Sequence, residues 1–564
     1  MIRPFTALLV VALLTIHAVR VEGMFAGALF AGEHGIQMQA VSPWNDPTGY
    51  TPVVVTVDAT REIDLDLRIA GDSGSAHATV RVSAGRAARQ TILLPPSNSD
   101  STRYQNLEWS GPGGISGSTQ ISGFNHQQIR CALIDPKQQV IEVDLESALG
   151  KLVSSGGSSR RDLVLRIQPQ DLPDRWQGYP DWLVLVLTPP GDAVLEEAQR
   201  QAIATWTRSG GTLVVTTAEL ERTWSAQQAA VLLDPLLNVP TVLGDELNQQ
   251  ISRDGWQPFD APVPGTETVP VKTFVVLALA FAIVVGPLNL WWVRKRNARH
   301  LFLITTPLLS FATCVVLIIA SLVADGISVK RDAVQVCYLD HRTQQAIRWT
   351  GCTYFAAFAR SQVELDAQTK LRVLDRADYA ARSRRSRGDG EQLHLDWRRG
   401  QVLSGTVLPA RLNRQLSYTE HLPERRRLVV SRQGDGYQVV NGLGVALQSV
   451  AWRDASGKLW RADAIAVGES AALAASSDAD GQASAGAKLP LSAGQTLPND
   501  VANRLGREVA PLFGRVTAEP LTFSAVLAAP MDSLPGPSAS DPQPPRVIAF
   551  GHLPLAVANV EGAP

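Results

Sequence analysis

Two uninterrupted apolar runs dominate the hydrophobic pattern of the chain, one over 273–293 and the other over 301–324. Neither run contains a charged residue. As helices, which rise about 1.5 Å per residue, both are long enough to cross a hydrocarbon core of about 30 Å. The pattern therefore predicts a two-helix transmembrane hairpin over 273–324, with a long polar region on each side of it.

The segment between the two runs is strongly basic. Its cationic residues are Arg294, Lys295, Arg296 and Arg299. Cationic loops beside membrane helices remain in the cytoplasm, so these residues are predicted to determine the topology. The prediction is a bacterial inner-membrane protein with a short cytoplasmic loop and two large periplasmic regions, and the lipid bilayer is then one partner of the chain.

Small residues at helical spacing occupy one face of each predicted span. They are Ala278, Ala282, Gly286, Thr306, Ser310 and Thr313. Small side chains let membrane helices approach closely, so these faces are predicted to pack together, with Gly286 near Thr306. The alternative is that small residues are simply common in membrane helices.

The region before the spans begins with Arg3 and an apolar run from about Phe5 to Ile16, which predicts a signal peptide over 1–23. Residues 24–124 then contain short segments in which apolar and polar residues alternate, as in 63–69, separated by turn residues. Period-two alternation is typical of antiparallel strands. Residues 24–124 are therefore predicted to form an immunoglobulin-like β-sandwich.

The periodicity changes after residue 124. Leu183 to Leu187 form a continuous apolar run, which is typical of a strand covered on both faces. An amphipathic helix follows, Gly210 and Gly211 end it, and 212–217 form the next strand. This order predicts a parallel βαβ unit, so 125–250 are predicted to be an α/β domain.

The segment LPDRWQGYPDWLVLVL, the helix after it and WTRSGGTLVVTT resemble the class I glutamine amidotransferase superfamily, in the degenerate form found in bacterial envelope proteins. The resemblance implies a flavodoxin-like fold for 125–250. Active members use a cysteine nucleophile on a glycine-flanked turn, served by a histidine and an acidic residue. Cys131 instead lies in an alternating strand segment, and His126 lies outside any such turn. We therefore expect no amidotransferase activity.

The apolar runs carry a second resemblance. GPLNLWWVRKR followed by LFLITTPLLS is similar to a double-span signature of bacterial envelope proteins of unknown function. The resemblance implies the same layout and no activity. Residues 251–272 hold several prolines without a regular period, and they are predicted to be a linker between the α/β domain and the first span.

After the second span, 325–564 return to short alternating segments, which predicts a periplasmic β-rich domain of the sandwich type. Residues 468–498 are low in complexity and are predicted to be a flexible insertion. Cys337 and Cys352 both lie in this domain. An oxidising compartment would permit a disulfide between them, and two separate core thiols are the alternative.

Composition narrows the classes of function. The 564 residues are 45% hydrophobic and 19% charged, with a net charge of −1. These values fit several folded domains and lack the basic excess of a nucleic-acid-binding protein. The four cysteines are too few for a disulfide scaffold and form no CxxC pair. We therefore predict no metal, cofactor or nucleic acid.

These observations favour a non-enzymatic inner-membrane protein whose periplasmic domains bind or scaffold protein partners of an envelope complex. One alternative is an auxiliary subunit of an ABC-type transporter, because degenerate amidotransferase-like domains on membrane hairpins resemble accessory parts of some of these systems. Two spans without ionisable residues cannot form a transport path alone. A second alternative is an envelope enzyme with an unrecognised site.

Overall fold

The structure is a computed structural model. It describes residues 35–46, 49–71, 74–96, 104–123, 131–137, 164–180, 183–188, 194–215, 231–233, 240–242, 263–264, 271–295, 302–325, 328–341, 343–374, 393–475, 509, 513, 516–517, 519–553 and 555. The predicted signal peptide lies outside the described residues, as do 251–262, 265–270 and most of the predicted insertion over 468–498.

The first module, which we call the sandwich module, is built from two layers of strands. The strands are β1 (Ile36–Val41), β2 (Thr51–Ala59), β3 (Ile63–Gly71), β4 (Gly74–Val82), β5 (Ala88–Leu94), β6 (Tyr104–Ser110) and β7 (Ser116–Ser122). One layer has the order β1-β2-β5 and the other β4-β3-β6-β7, and β1 also pairs in parallel with the end of β7. The apolar faces of both layers enclose one core.

Strand β3 illustrates why these segments form a sandwich. Leu65, Leu67 and Ile69 are almost fully buried, whereas the residues between them are exposed. A strand that is apolar on one face only gains burial when that face is covered by a second sheet. The alternation in the sequence therefore predicted this strand and the face that it buries.

The second module, the α/β module, contains a six-stranded sheet. Its elements are β8 (Cys131–Ile134), β9 (Val164–Arg166), β10 (Val184–Leu187), α1 (Glu197–Arg208), β11 (Thr212–Val215), β12 (Val231–Leu233) and β13 (Pro240–Val242). The order is β13-β12-β11-β10-β8-β9, in which β9, β8, β10 and β11 are parallel. The strand–helix–strand unit from β10 through α1 to β11 is present as the sequence indicated.

The predicted flavodoxin-like fold is wrong. Strands β12 and β13 run antiparallel to their neighbours, and α1 is the helix that the structure describes between the strands of this sheet. A flavodoxin-like domain is a parallel sheet with helices on both faces. Most elements in the described part of the chain are strands, so the α/β label fits one small unit and not the protein as a whole.

The two apolar runs form α2 (Val271–Ile283), α3 (Asn289–Lys295) and α4 (Phe302–Asp325). A π turn over Val284–Leu288 separates α2 from α3, and it contains Pro287, which cannot donate a backbone hydrogen bond. Apolar side chains on these helices are exposed, for example Val276 at 67% and Leu303 at 82%.

None of the described helices has both the length and the apolar character that crossing a membrane requires. A π turn over Val284–Leu288 divides the first run into α2 and α3. The predicted transmembrane hairpin is therefore wrong. The predicted inner-membrane location with periplasmic domains, which depended on it, is not supported.

The predicted contact face of the first run is also wrong. Ala278, Ala282 and Gly286 are exposed, and a Cβ atom added to Gly286 would meet no atom within 4 Å. The covered positions lie one residue away, at Phe281, Val285 and Asn289. Asn289 is buried, and its Nδ2 donates a hydrogen bond to Thr306 Oγ1 at 3.2 Å. The contact is thus a polar pair and not a close approach of small residues.

The third module, the C-terminal β module, consists of strands and connecting turns. The strands are β14 (Lys330–Asp340), β15 (Gln345–Phe355), β16 (Arg360–Leu365), β17 (Lys370–Val373), β18 (Leu393–Asp396), β19 (Gln401–Leu408), β20 (Asn413–Pro423), β21 (Arg427–Gln433), β22 (Gly436–Gly442), β23 (Leu447–Arg453), β24 (Leu459–Ala462), β25 (Ser470–Ala475), β26 (Thr522–Leu527) and β27 (Arg546–His552). Eleven of them form one sheet, in the order β17-β20-β15-β14-β27-β26-β23-β24-β25-β22-β21. The remaining three, β16, β19 and β18, continue the sheet of the sandwich module.

The connection between the first and third modules is a shared sheet. Strand β18 pairs in parallel with β4, so that residues more than 300 positions apart lie side by side. Gly74 permits this approach, because a Cβ atom there would overlap the carbonyl oxygen of Leu393. The module boundaries in the sequence therefore do not coincide with the edges of the sheets.

The candidate disulfide between Cys337 and Cys352 is not formed. Both residues are buried free thiols. In the β14–β15 ladder Cys337 lies opposite Arg348 and Cys352 lies opposite Ala333, so the two thiols are four rungs apart. At about 3.3 Å per rung this offset exceeds the Cα separation of about 7 Å that a disulfide allows. The structure therefore has two separate core thiols.

We predict that maleimide does not label Cys337 or Cys352 in the folded protein, because both side chains are buried and burial raises the pKa of each thiol to about 12. In denaturant without a reductant both thiols should react fully, as measured by peptide mass spectrometry. A requirement for prior reduction would show that they are bonded and would contradict the structure.

Candidate functional site at the junction of three modules

The three modules meet around one irregular stretch, residues 169–180, which we call the junction segment. It contains two short 3₁₀ turns, Pro169–Asp171 and Trp176–Gly178, and no strand. Irregular segments usually lie on the surface, because their backbone groups need partners. The end of this one is buried from Trp176 to Pro180, so its carbonyl groups must be satisfied by side chains.

The sandwich module supplies the first set of contacts. The indole Nε1 of Trp44 donates to Gly178 O at 2.7 Å, and its ring lies 5.3 Å from that of Tyr179. The hydroxyl of Thr91 accepts a hydrogen bond from Asp174 N at 3.1 Å. A Cβ atom on Gly178 would lie only 3.1 Å from Leu93 and Pro52, so the segment packs tightly against β2 and β5.

Helix α1 of the α/β module holds the other side of the segment. Gln199 is buried, and its Nε2 donates to the carbonyl oxygens of Pro169 and Leu172 at 2.6 and 3.0 Å. Its Oε1 accepts from Glu196 N at 2.9 Å, which caps the helix. In its last turn, Trp206 donates from Nε1 to Pro180 O at 3.2 Å. The face of α1 toward the segment is therefore both apolar and hydrogen-bonding.

The C-terminal β module supplies a buried cation. Lys370, at the start of β17, is 1% exposed, and its Nζ donates to the carbonyl oxygen of Tyr179 at 2.9 Å. Gln177 is also buried and donates from Nε2 to Ala367 O at 2.8 Å, in the turn before β17. Lysine is rarely fully buried, since removing an ammonium from water is costly unless its donors find acceptors. The Tyr179 carbonyl is such an acceptor.

His421 on β20 completes the junction. Its ring makes an edge contact with Trp176 at 4.8 Å, and its Nε2 lies 2.6 Å from Ser209 Oγ at the end of α1. Burial, together with the nearby positive charge of Arg208, lowers the pKa of His421 to about 3. The imidazole is therefore neutral at physiological pH.

The Ser209 and His421 pair is not arranged as a nucleophile and base. Ser209 Oγ donates its proton to Thr205 O at 2.9 Å, as a residue at a helix end commonly does. The hydroxyl has one proton, so the Nε2–H of His421 must donate to Ser209 Oγ. A base would need an unprotonated nitrogen at this position and a pKa close to neutral.

The sandwich and C-terminal β modules also touch directly. Trp397, just after β18, donates from Nε1 to Leu93 O at 2.9 Å, and the guanidinium of Arg175 stacks over its ring at 4.7 Å. The hydroxyl of Tyr50 is hydrogen-bonded to the amide of Gln401. Each pair of modules is thus joined by at least one buried hydrogen bond, in addition to the shared sheet.

Sequence reasoning did not recognise the junction. LPDRWQGYP carries part of a family resemblance, and its density of Trp, Tyr and Pro without a regular period is the signal that the sequence offers for this segment. Lys370 and His421 gave no signal, because a lysine or a histidine in a strand is usually at the surface. Their burial depends on residues about 190 and 210 positions away.

The residues singled out from the sequence lie elsewhere. Arg294 and Lys295 end α3, whereas Arg296 and Arg299 are outside the described residues. Thr306, Ser310 and Thr313 share the partly covered face of α4, and Thr313 donates to Leu309 O within its own helix. Cys131 is buried in β8. Within the described ranges no group of three or more His, Cys, Asp or Glu side chains could hold a metal ion.

Comparisons with known proteins leave the family of this chain open. No family model matches it, and no curated protein matches it. Among solved structures it is similar to the yeast delta-COP-I mu-homology domain, both alone and complexed with a Dsl1 WxWxV peptide, at 9% identity. Each match covers 40% of this chain and 96% of that chain, with TM-scores of 0.18 and 0.17. Scores this low carry no argument about fold or function.

We predict that acid weakens the junction through His421. Because the folded-state pKa is depressed to about 3, its contribution is fully present above about pH 6.5 and is lost as the pH falls toward 3. Between about pH 7 and pH 5 the loss should be about 2 kcal/mol. This loss is measured by comparing the unfolding free energy of the wild type with that of His421→Gln, whose amide can still donate to Ser209. The difference between the two proteins should shrink by that amount as the pH falls.

The difference in unfolding free energy between the two proteins separates the contribution of His421 from those of other titrating groups. Asp171 has the opposite effect, because burial, partly offset by Arg89, raises its pKa to about 6 and so favours the folded state as the pH falls. Asp171 is unchanged in the variant, so its contribution cancels. An equal pH dependence in both proteins would show that His421 is not buried at this contact.

We also predict that Lys370→Met destabilises the protein by about 1–3 kcal/mol, because the variant keeps the aliphatic stem and leaves the Tyr179 carbonyl without this donor. Lys137→Met is the matched control, since Lys137 is exposed and its loss should change stability by less than about 0.5 kcal/mol. Chemical denaturation measures both. Equal effects would contradict a structural role for the ammonium.

Proposed function

We propose that this chain is a non-enzymatic binding and scaffolding protein that holds its three modules in one fixed arrangement for the assembly of a larger protein complex. The observation that carries the proposal is the buried Lys370 ammonium on the carbonyl of Tyr179, at the meeting point of all three modules. Buried polar contacts gain little net stability compared with an apolar core. Their main effect here is to favour one geometry over others.

The cost of leaving buried polar groups unpaired favours a single arrangement of the three modules. If the modules separated, the contacts that keep Lys370 and Gln177 out of water would be lost together. If they shifted by a few ångströms, donors and acceptors would remain buried without partners, which costs about 1–3 kcal/mol for each group. Apolar packing alone would tolerate such a shift more easily. The polar junction therefore supports a rigid multi-module surface.

The state of the cysteine in the α/β module supports a non-enzymatic role. Cys131 is fully buried in the middle of the parallel sheet, and burial raises its pKa to about 12. A cysteine nucleophile must be a thiolate within reach of substrate. The thiol of Cys131 is neither ionised nor accessible, so it acts as a small core residue.

The first test measures rigidity. Spin labels at Thr79→Cys and Gln433→Cys, in a Cys314→Ser background that removes the exposed native thiol, report the distance between the sandwich and C-terminal β modules. We expect one narrow peak for the distance between the labels in the protein with the wild-type junction, and a broadened peak in the double variant Trp176→Ala, Lys370→Met. A broad distribution in the wild-type junction would refute the fixed arrangement.

The second test concerns partners. Intact protein is affinity-purified from its source cells after crosslinking, and co-purified proteins are quantified by mass spectrometry for the wild type, the junction double variant and Cys131→Ala. We expect recovery of the partners to fall at least about tenfold in the double variant, corresponding to about 1.4 kcal/mol. Recovery should be unchanged for Cys131→Ala. If recovery instead fell in Cys131→Ala and was unchanged in the junction double variant, an enzyme would be favoured.

A further inference from the structure

A polar cavity lies in the C-terminal β module, away from the junction. It has a volume of about 350 Å³ and is lined by His341, Gln344, Glu424, Arg425 and Arg427. The first two residues belong to the turn between β14 and β15, Glu424 and Arg425 belong to the crossing from β20 to β21, and Arg427 begins β21. The volume lies at the lower end of the range of about 300–1,000 Å³ that is typical of small-molecule sites.

A charge network lies beside the cavity and includes one of its lining residues, Glu424. Arg348 is 4% exposed, and its Nη2 donates to Glu424 Oε2 at 3.0 Å and to Asp532 Oδ2 at 2.6 Å. Arg426 binds the same two carboxylates, with Nη2 2.7 Å from Glu424 Oε2 and 2.6 Å from Asp532 Oδ2. Two guanidinium groups and two carboxylates therefore neutralise one another.

The acidic members of this network remain ionised, and their oxygens accept hydrogen bonds from arginines. Burial would raise the pKa of Glu424, but the hydrogen bonds and charge of Arg426, with the charge of Arg348, outweigh it and hold that pKa below its usual value. Glu424 Oε1 accepts from Arg426 Nε at 2.8 Å, and Oε2 accepts from Arg348 and Arg426. Both carboxylate oxygens are thus engaged, so Glu424 presents little free negative charge to the cavity.

The net charge of the cavity comes from two other arginines. Arg425 and Arg427 are exposed, and within the described part of the chain neither guanidinium has a hydrogen bond or an ion pair. Both side chains line the same cavity, one on each side of Arg426 in the sequence. Two unpaired guanidinium groups on one polar cavity create a site for an anion with two negative charges.

The turn between β14 and β15 supplies further polar groups. Burial lowers the pKa of His341 to about 4, so its imidazole is neutral near pH 7. The ring stacks on Phe523 at 5.6 Å, which fixes its plane. Gln344 has a left-handed backbone with φ of 56°, held by a hydrogen bond of 2.8 Å from Glu424 N to Gln344 O. Non-glycine residues adopt this conformation at a cost, and such strain is concentrated at functional sites.

We propose that this cavity binds the phosphate group of a small ligand through the guanidinium groups of Arg425 and Arg427, with His341 and Gln344 as neutral hydrogen-bonding groups beside it. Guanidinium presents a planar fork of donors that matches phosphate oxygens, and two of them balance a dianion. The polar lining disfavours an apolar ligand. The network of Arg348, Glu424, Arg426 and Asp532 holds the arginine-bearing crossing in place. The site does not depend on the scaffolding role.

The test is titration of the full chain with inorganic phosphate and with glycerol 3-phosphate, followed by calorimetry. We expect saturable binding with one site, and we expect Arg425→Gln, Arg427→Gln to weaken it at least about tenfold. Tighter binding of the ester would identify a phosphorylated small molecule as the source of the phosphate group, and equal binding would identify the free anion. No saturable binding of either probe would overturn the proposal.

A matched control variant removes two positive charges outside the cavity. Arg360 and Arg432 are exposed and lie on β16 and β21, and neither lines the cavity. The variant Arg360→Gln, Arg432→Gln should bind phosphate within about twofold of the wild type, since long-range effects of exposed charges are screened by salt. An equal loss in both double variants would show non-specific attraction and overturn the proposal. Circular dichroism of each variant establishes that it is folded.

Discussion

The arrangement of this protein depends on one electrostatic constraint, the removal of the Lys370 ammonium from water. That group is tolerated in the interior because the Tyr179 carbonyl and its other surroundings replace its hydration. The carbonyl is in place only if the junction segment is held by Trp44 from the sandwich module and by Trp206 from helix α1. A single polar contact therefore requires three parts of the chain to be correctly positioned at once.

The same rule shapes the rest of the molecule. Asn289 is buried between the helices because its amide reaches Thr306, and Arg348 is buried because two carboxylates reach its guanidinium. Where cations remain unpaired, as at Arg425 and Arg427, they are exposed and face a polar cavity. Buried polar groups are thus paired and hold parts of the chain together. Exposed and unpaired cations remain accessible to a ligand.

Two corrections have the same physical origin. The run over 273–293 was expected to pack through Ala278, Ala282 and Gly286, but these residues are exposed, and Asn289 makes the contact with Thr306 instead. The sheet of the α/β module was expected to be wholly parallel, but β12 and β13 join it in antiparallel orientation. Local periodicity indicates which residues are apolar, and it does not specify the direction of pairing or the register of helix faces.

The sequence by itself determined the local elements, since a strand such as β3 and the unit from β10 to β11 follow from period-two alternation and continuous apolar runs. It also determined that Cys131 is a core residue. Only the tertiary structure decided that β18 extends the sheet of the sandwich module, that Cys337 and Cys352 are four rungs apart, and that Lys370 and His421 meet one segment. Those outcomes depend on contacts between positions up to more than 300 residues apart, which no local pattern encodes.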